Sequence, residues 1–455
     1  MKSRRFFVFI SAFFLISLIS CASSSSKSAY YEDNISDFFE YTLSNGIPVA
    51  LKNNTGSQIA VIRVIFEGGT ANLSKEESGL ENLTLELMLH GSKKYPYQTI
   101  KRLSFDKSFG LTKSSSREFS TAGFTCIKRD IFEALDILSD SIQNPLFNEN
   151  DFEQLYRLEE DGVQSSKTEP EAVLASTISD TIFENHPYAS ETHATEKSLK
   201  NLSLKAVKNH YASLVNASRM KIVCVGSFSQ SEREDIFEKL NESFGEIEQK
   251  SFEKKAIPKI QITEGTVREV CAEAGSTGYA TGFFSCPERT DFDYVPYVIA
   301  TMFVDDAIFR IVREENGAVY SAGTGVMGAS RFVGAVSLFK ATKFEELGKI
   351  VRASFADFPK NEKEVSKKLD QYKNQFITQV FDNSRTAGGI ASNITASWIF
   401  RDSPSDYLKR PSEVESITAK DVLEAYQKYL KPVSEGKIKW IIVSEKDSVS
   451  QFELD

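Results

Sequence analysis

The chain is poor in the two residue types that most often bind zinc. Its 455 residues contain four histidines and five cysteines. Four histidines leave little material for a histidine-rich metal site, and no two cysteines have the C-x-x-C spacing. Cys126 and Cys224 lie in apolar runs that are typical of core strands. The sequence therefore indicates no disulfide framework, although the spacing leaves room for a single bridge.

Positive charge is also scarce. The chain has 54 Lys and Arg residues against 63 Asp and Glu residues, so its net charge is −9. Cleavage of an N-terminal signal would remove Lys2, Arg4 and Arg5, leaving 51 basic residues and a net charge of −12. This balance argues against nucleic acid and anionic surfaces as the main partners.

Long apolar runs are missing except at the N-terminus. There, three basic residues precede the apolar stretch Phe6–Ile19, which is the pattern of a secretion signal and is too short for a comfortable membrane span. Leu18-Ile19-Ser20-Cys21 resembles a bacterial lipoprotein box, which implies cleavage before Cys21 and acylation of its thiol. The alternative is an ordinary signal peptide with an incidental cysteine. We expect a protein exported to the bacterial cell envelope and lipid-anchored to a membrane.

The rest of the chain has a mixed α and β pattern, and its second half repeats the order of its first. Ser198–Val215 aligns with Glu413–Leu430 at a constant offset of 215 residues, which pairs the capping Ser203 with Thr418. An apolar strand pattern follows each of these helices. Two generic amphipathic helices would not share the cap, the helix and the strand. The sequence therefore predicts an α+β fold made of two copies of one unit.

These patterns divide the chain into five segments. The polar, Lys- and Glu-rich residues before Pro258 predict the linker between the two copies. The predicted segments are a signal peptide at 1–20, a lipid-anchored Ser-rich tether at 21–36, an N-terminal domain at 37–245, a linker at 246–259, and a C-terminal domain at 260–455.

The stretch Gly79–Ser92 (GLENLTLELMLHGS) predicts a buried helix of about three turns. Its leucines and methionine form an apolar stripe. Asn82 and Glu86 are four residues apart and therefore share one face of this apolar helix. Unpaired buried polar groups cost several kcal/mol, so both side chains need partners. The residues alone indicate two satisfied core polar groups.

This stretch resembles the signature of the insulinase and pitrilysin-type metallopeptidases, H-x-x-E-H on a helix. The resemblance extends from about Tyr41 to the C-terminus. It implies two related α+β domains that face each other as a clamshell around an enclosed chamber.

The reactive positions of that family are occupied by other residues here. The first histidine falls on Asn82, the general-base glutamate on Leu85, and the second histidine on Glu86. Counting places the third zinc ligand, a glutamate on a later helix, at Gly162. Glu159, Glu160 and Asp161 lie just upstream, and a register shift of one or two residues would still place a carboxylate there; with Glu86 this would suit a hard cation rather than zinc. The resemblance implies that zinc is held only by a partner subunit.

His90 lies four residues after Glu86 on the same helix face and could suggest a shifted motif. Such a motif would lack a second histidine and a correctly placed base. His90 is therefore predicted to be a helix-end residue.

The stretch RIVREENGAVYSAG resembles the second signature of the family, R-E-x-x-G-x-x-Y-S. We predict a helix that ends by Asn316, a C-terminal cap at Gly317 and a strand that begins at Ala318. By resemblance, Arg313 and Tyr320 face the chamber and hold the substrate backbone. Arg donates several hydrogen bonds to peptide carbonyls, and Tyr can stabilise an oxyanion.

Some relatives divide these two signatures between two chains. The resemblance therefore implies a non-catalytic subunit of a heteromeric zinc peptidase, whose partner is a homologous zinc-bearing subunit and whose ligand is a peptide. The alternative is a stand-alone peptide-binding or scaffold lipoprotein on an inactive peptidase fold. A third interpretation, an active metalloendopeptidase, requires ligands that the sequence lacks.

Overall fold

The computed structural model describes residues 29–454, so the predicted signal and Cys21 lie outside the described residues. Within 29–454, no helix is long and apolar enough to cross a membrane. The described strands are β1 (Phe38–Thr42), β2 (Pro48–Asn53), β3 (Ile59–Glu67), β4 (Gly110–Ser115), β5 (Phe119–Ile127), β6 (Met220–Gly226), β7 (Gly265–Val270), β8 (Gly278–Phe284), β9 (Ser321–Gly328), β10 (Phe332–Ala341) and β11 (Lys439–Ser444).

The helices lie before, between and after these strands. They are α1 (Ala29–Ile35), α2 (Leu80–Leu89), α3 (Tyr97–Lys107), α4 (Ile131–Gln143), α5 (Glu149–Ser166), α6 (Pro170–Ile182), α7 (Glu196–Leu199), α8 (Leu204–Leu214), α9 (Gln230–Phe244), α10 (Tyr294–Ile308), α11 (Leu347–Ala356), α12 (Glu362–Asn383), α13 (Ala387–Arg401), α14 (Arg410–Ser416), α15 (Ala419–Ala425), α16 (Lys431–Ser434) and α17 (Lys446–Val449).

Two sheets share one topology, which confirms the predicted duplication. The first sheet has the strand order β1-β2-β6-β3-β5-β4, and the second has β7-β11-β8-β10-β9. Without β1, each sheet contains one parallel pair, β2 with β6 and β7 with β11, and its other pairs are antiparallel. The strands of the second sheet therefore repeat β2 to β6 in the same chain order. The fold is α+β in two related halves.

The helices that cover one face of each sheet belong to the same half. In the first half, the alternate residues of β3 that point to this face, such as Ile62 and Val64, are buried against α2, α4 and α9. In the second half, Val336 and Trp440 are buried against helices that include α10, α11 and α15. The period of two along each strand gives each sheet a second apolar face.

That second face is covered by a helix from the opposite half. Val61 and Ile65 of the first sheet pack with Ile394 of α13 in one buried cluster. Ile441 of the second sheet packs with Ile178 of α6 in another. The two halves thus exchange one helix each, and this exchange positions the segments that carry the candidate site.

Several local predictions are confirmed, and one boundary is corrected. Ser203 and Thr418 cap α8 and α15 through their side chains, as predicted from the repeat. The helix before Gly317 ends as predicted. A π-helical segment, Phe309–Glu315, continues α10, and Asn316 is its C-terminal cap. However, β9 begins at Ser321 instead of Ala318. Ala318 and Val319 are buried in the core of the second half, which holds them beneath the sheet edge.

The four cysteines within the described residues are free thiols. Cys126 and Cys224 are buried on β5 and β6, as the apolar runs predict. Residues 248–264 form no helix or strand before β7. The domain limits at 245 and 260 stay predictions.

Candidate functional site

Helix α2 begins at a glycine for a steric reason. Gly79 has φ +85°, and a Cβ at this position would lie 2.6 Å from the backbone N of Ala194. Only glycine adopts this conformation at such close approach without strain. Leu83, Leu85 and Met88 are buried, whereas Asn82 is half-buried. The helix therefore presents Asn82 beside the 193–194 loop.

Asn82 and Glu86 share one partner, the ammonium group of Lys113 on strand β4. Lys113 Nζ donates to Asn82 Oδ1 at 3.1 Å and also forms an ion pair with Glu86. The Asn82 amide donates in turn to Glu159 Oε1 at 3.2 Å. The two polar residues of α2 therefore have the partners that their position requires.

Glu159 is the α5 residue that reaches this site. Its Oε2 accepts a hydrogen bond from the Ala194 N–H at 2.9 Å, and its Oε1 lies 3.7 Å from His193 Nδ1. Burial raises the pKa of Glu159, but the nearby His193 and the hydrogen bonds from the Ala194 N–H and Asn82 outweigh burial, so the pKa is lowered overall. The close approach of Glu159 raises the pKa of His193.

These residues do not fit a zinc ion. Asn82 supplies a neutral amide, which is a poor zinc ligand, and Leu85 has 0% exposure and cannot accept a proton. The ammonium of Lys113 lies between Asn82 and Glu86 and would repel a second cation there. Among residues 29–454, no group of three or more His, Cys, Asp or Glu side chains is arranged to hold a metal.

The structure also decides which α5 residue faces α2. Gly162, the position obtained by counting, is exposed and carries no side chain. Glu159 contacts Asn82 instead, so a carboxylate does reach the site, but from three residues upstream of Gly162 and not from the predicted shift of one or two. That carboxylate is already held by Asn82, His193 and the Ala194 N–H, and Glu86 is held by Lys113. The hard-cation arrangement is therefore not formed.

His90 is the residue at the C-terminal end of α2, as predicted. Its ring stacks on Tyr97, with 3.9 Å between the ring centroids. Its Nε2 lies 3.8 Å from Asp151. These contacts are those of a packed helix end.

The most deeply buried charge on α2 is not predicted by the sequence analysis. Glu81 has 0% exposure, and its Oε2 accepts a hydrogen bond from His210 Nε2 on α8 at 2.6 Å. Burial raises the pKa of Glu81, but the adjacent His210 outweighs it, and the pKa is lowered. An acidic residue in a first helical turn usually lies in solvent, so the sequence offers no signal for this pair.

Arg313 and Tyr320, the residues of the second signature, lie together on the surface of the second half. The guanidinium carbon of Arg313 is 5.9 Å from the centroid of the Tyr320 ring and 5.3 Å from that of Phe309. Arg313 is exposed, and Tyr320 has 66% exposure. Both side chains are available to an external ligand, and no described residue forms an ion pair with Arg313.

Two family models match successive parts of the chain. The first describes the insulinase peptidase family M16 and matches residues 48–196. The second describes the peptidase M16 inactive domain and matches residues 201–376. The chain belongs to the insulinase family. The range matched by the first model includes Asn82, Leu85, Glu86 and Gly162.

Curated relatives of this insulinase-family chain are distant. A probable mitochondrial-processing peptidase subunit beta from Arabidopsis thaliana is 23% identical over 44% of this chain and 38% of its own length. The non-peptidase homolog YmxG from Helicobacter pylori is 21% identical over 40% of this chain and 42% of its own length. The chain therefore spans less than half the length of either relative.

Solved structures agree with the fold over nearly the whole chain. The peptidase M16 inactive domain from Pseudomonas fluorescens has a TM-score of 0.76 and 17% identity, covering 90% of this chain and 98% of the other. At this identity the likeness shows the fold alone. Together with the family models, it places this chain among peptidase-fold proteins.

Proposed function

We propose that this chain is the non-catalytic subunit of a heteromeric zinc peptidase. The observation that carries the proposal is the contrast between its two signatures. On α2, the helix of the first signature, Lys113 forms an ion pair with Glu86. Arg313 and Tyr320, the residues of the second signature, lie side by side and are exposed. The name of the Arabidopsis relative, a processing peptidase subunit, is consistent with an assembly of this kind.

In the proposed assembly, a homologous subunit with an intact H-x-x-E-H motif holds the zinc. Arg313 binds the backbone carbonyls of the peptide, and the Tyr320 hydroxyl donates to the oxyanion that forms during cleavage. The runner-up is a stand-alone peptide-binding scaffold, favoured by the non-peptidase homolog from Helicobacter pylori. The two functions differ in whether Arg313 and Tyr320 affect turnover.

Reconstitution with the intact-motif homologue tests the proposal. We expect Tyr320→Phe to lower peptide turnover by about 10²–10³-fold, as the loss of one oxyanion donor does. Arg313→Ala is expected to lower turnover as well, while both variants fold and assemble, because surface changes shift stability by less than about 0.5 kcal/mol. Arg102→Ala, an exposed arginine on α3, is the matched control. Equal turnover in all four proteins would favour the scaffold.

We further propose that the mature protein is anchored in the cell envelope through an acylated Cys21. The support is the sequence alone, since this residue lies outside the described part of the chain. Cys21→Ser is expected to release the protein from membranes or to leave its signal uncut. Membrane fractionation and the apparent mass of the mature chain provide the measurement. Membrane-bound Cys21→Ser protein of mature mass would contradict the anchor.

A further inference from the structure

A cavity of about 350 Å³ lies in the second half, between the start of α10 and helices α12, α13 and α14. This volume is at the small end of the range of ligand sites. Its lining contains three guanidinium groups, from Arg289, Arg401 and Arg410, and no carboxylate. The lining also contains three apolar side chains, Phe376, Val380 and Phe400, here called the apolar wall.

Two of the three guanidinium groups form ion pairs with carboxylates that do not line the cavity. Arg401 Nη1 lies 2.8 Å from Asp406, and Arg410 Nη1 lies 2.9 Å from Glu413. Neither Asp406 nor Glu413 lines the cavity. These pairs fix the positions of the two arginines, and Arg401 Nη2 also donates to the Arg289 carbonyl at 2.8 Å.

Arg289 is the guanidinium without a carboxylate partner among the described residues. Its Nε donates to the Ala329 carbonyl at 3.3 Å, and its Nη1 donates to the Tyr294 hydroxyl at 3.2 Å. Its guanidinium carbon lies 4.7 Å from the Phe332 ring centroid and 5.3 Å from that of Phe400. Arg289 is therefore held in place by neutral groups, with one uncompensated positive charge and unused donors.

We propose that this cavity binds a small carboxylate attached to an apolar group, such as the free C-terminus of a peptide that ends in an apolar residue. One uncompensated charge matches one carboxylate, and the planar guanidinium fork pairs with a carboxylate through two parallel hydrogen bonds. The apolar wall receives the attached side chain. This site is separate from Arg313 and Tyr320, and the inference does not rest on the proposed function.

Calorimetric titration of the full mature chain tests the site. The probes are N-acetyl-L-phenylalanine, its neutral amide, and inorganic phosphate. We expect the acid to bind at least tenfold more tightly than the amide, because only the acid pairs with Arg289. Phosphate is expected to compete weakly, since it has no group for the apolar wall.

Three variants separate the site from a general effect of charge. Arg289→Gln is expected to abolish the preference for the acid, and Arg102→Gln, an exposed arginine in the other half, is expected to keep it. Ala396→Trp fills the cavity from an exposed position on α13 and is expected to weaken binding of the acid at least tenfold. This third variant keeps every arginine, so it tests the site even where Arg289→Gln does not fold.

A hexapeptide that ends in phenylalanine identifies the source of the carboxylate. Tighter binding of this peptide than of the single acid would assign the site to peptide C-termini, and equal binding would assign it to small free acids. Three results would overturn the inference: equal binding of acid and amide, unchanged binding in Ala396→Trp, or phosphate that binds as tightly as the acid.

Discussion

Glu81 and Glu86 lie on the same helix but hold their charges in different surroundings. Glu81 is fully buried against His210, whereas the Glu86 side chain is 37% exposed and pairs with Lys113. Removal of a buried charge leaves its hydrogen-bond partner without a partner inside the protein. In an exposed ion pair, by contrast, water screens the interaction between the two charges. The two residues should therefore contribute very differently to stability.

We expect Glu81→Gln to lower the free energy of unfolding by about 1–3 kcal/mol, since hydrogen bonds to charged groups are of this size. Glu86→Gln, the control on the same helix, should change it by less than about 1 kcal/mol. Urea unfolding followed by circular dichroism gives both values. Equal effects of the two substitutions would contradict the assigned burial.

The effect of Glu81→Gln should also depend on pH. The folded state lowers the pKa of Glu81 below its ordinary value of 4.5. Its ionised form therefore stabilises the fold above about pH 4.5, and this contribution is lost as the pH falls through the folded pKa. The difference between wild type and Glu81→Gln is therefore expected to shrink as the pH falls below about 4.5.

At the scale of elements, α2 keeps the geometry of a metal-binding helix without its ligands. Asn82 and Glu86 are one turn apart on the face that meets β4 and α5. Two imidazoles at these positions could coordinate one zinc ion, and the Glu159 carboxylate would supply an oxygen ligand. What prevents this is residue identity and the ammonium of Lys113.

We therefore expect the variant Asn82→His, Glu86→His, Lys113→Ser to bind about one zinc per chain. The same two histidines with Lys113 retained should bind zinc more weakly, because the ammonium repels it. Neither variant should cleave peptides, since Leu85 remains in place of the base. Metal analysis after gel filtration provides the measurement. A zinc-free triple variant with normal circular dichroism would show that the helix face no longer has metal-site geometry.

At the scale of the whole molecule, the exchange of α6 and α13 joins the two halves. Each of these helices covers the second face of the opposite sheet. Arg63 of β3 also donates to the Thr395 hydroxyl of α13 at 3.2 Å. Separation of the halves would expose both apolar sheet faces to water, at a cost proportional to their area.

We expect the halves to stay associated after the chain between them is cut. A protease site inserted at the exposed residues Thr263–Glu264 would leave two fragments that co-elute in gel filtration. Ile394→Ala should weaken this association, because a buried Ile→Ala change costs about 2–5 kcal/mol. Ile350→Ala, which lies in the core of the second half alone, is the control. Fragments that separate without denaturant would contradict the exchange.

The sequence by itself determined the family, the α+β duplication and most helix and strand positions. Apolar periodicity, caps such as Ser203 and Thr418, and the repeated order of elements are local signals, so they can be read along the chain. The resemblance to H-x-x-E-H also predicts that Asn82, Leu85 and Glu86 occupy the positions of the reactive residues. These positions follow from spacing on a single helix.

Only the tertiary structure decided what those residues contact. Lys113 lies on another strand, Glu159 on another helix, and the partner of Glu81 is 129 residues away along the chain. The helix exchange and the arginine-lined cavity likewise join segments that are distant in sequence. Such contacts depend on how sheets and helices pack. The local periodicity of the sequence does not predict which residue, distant along the chain, will contact a given side chain.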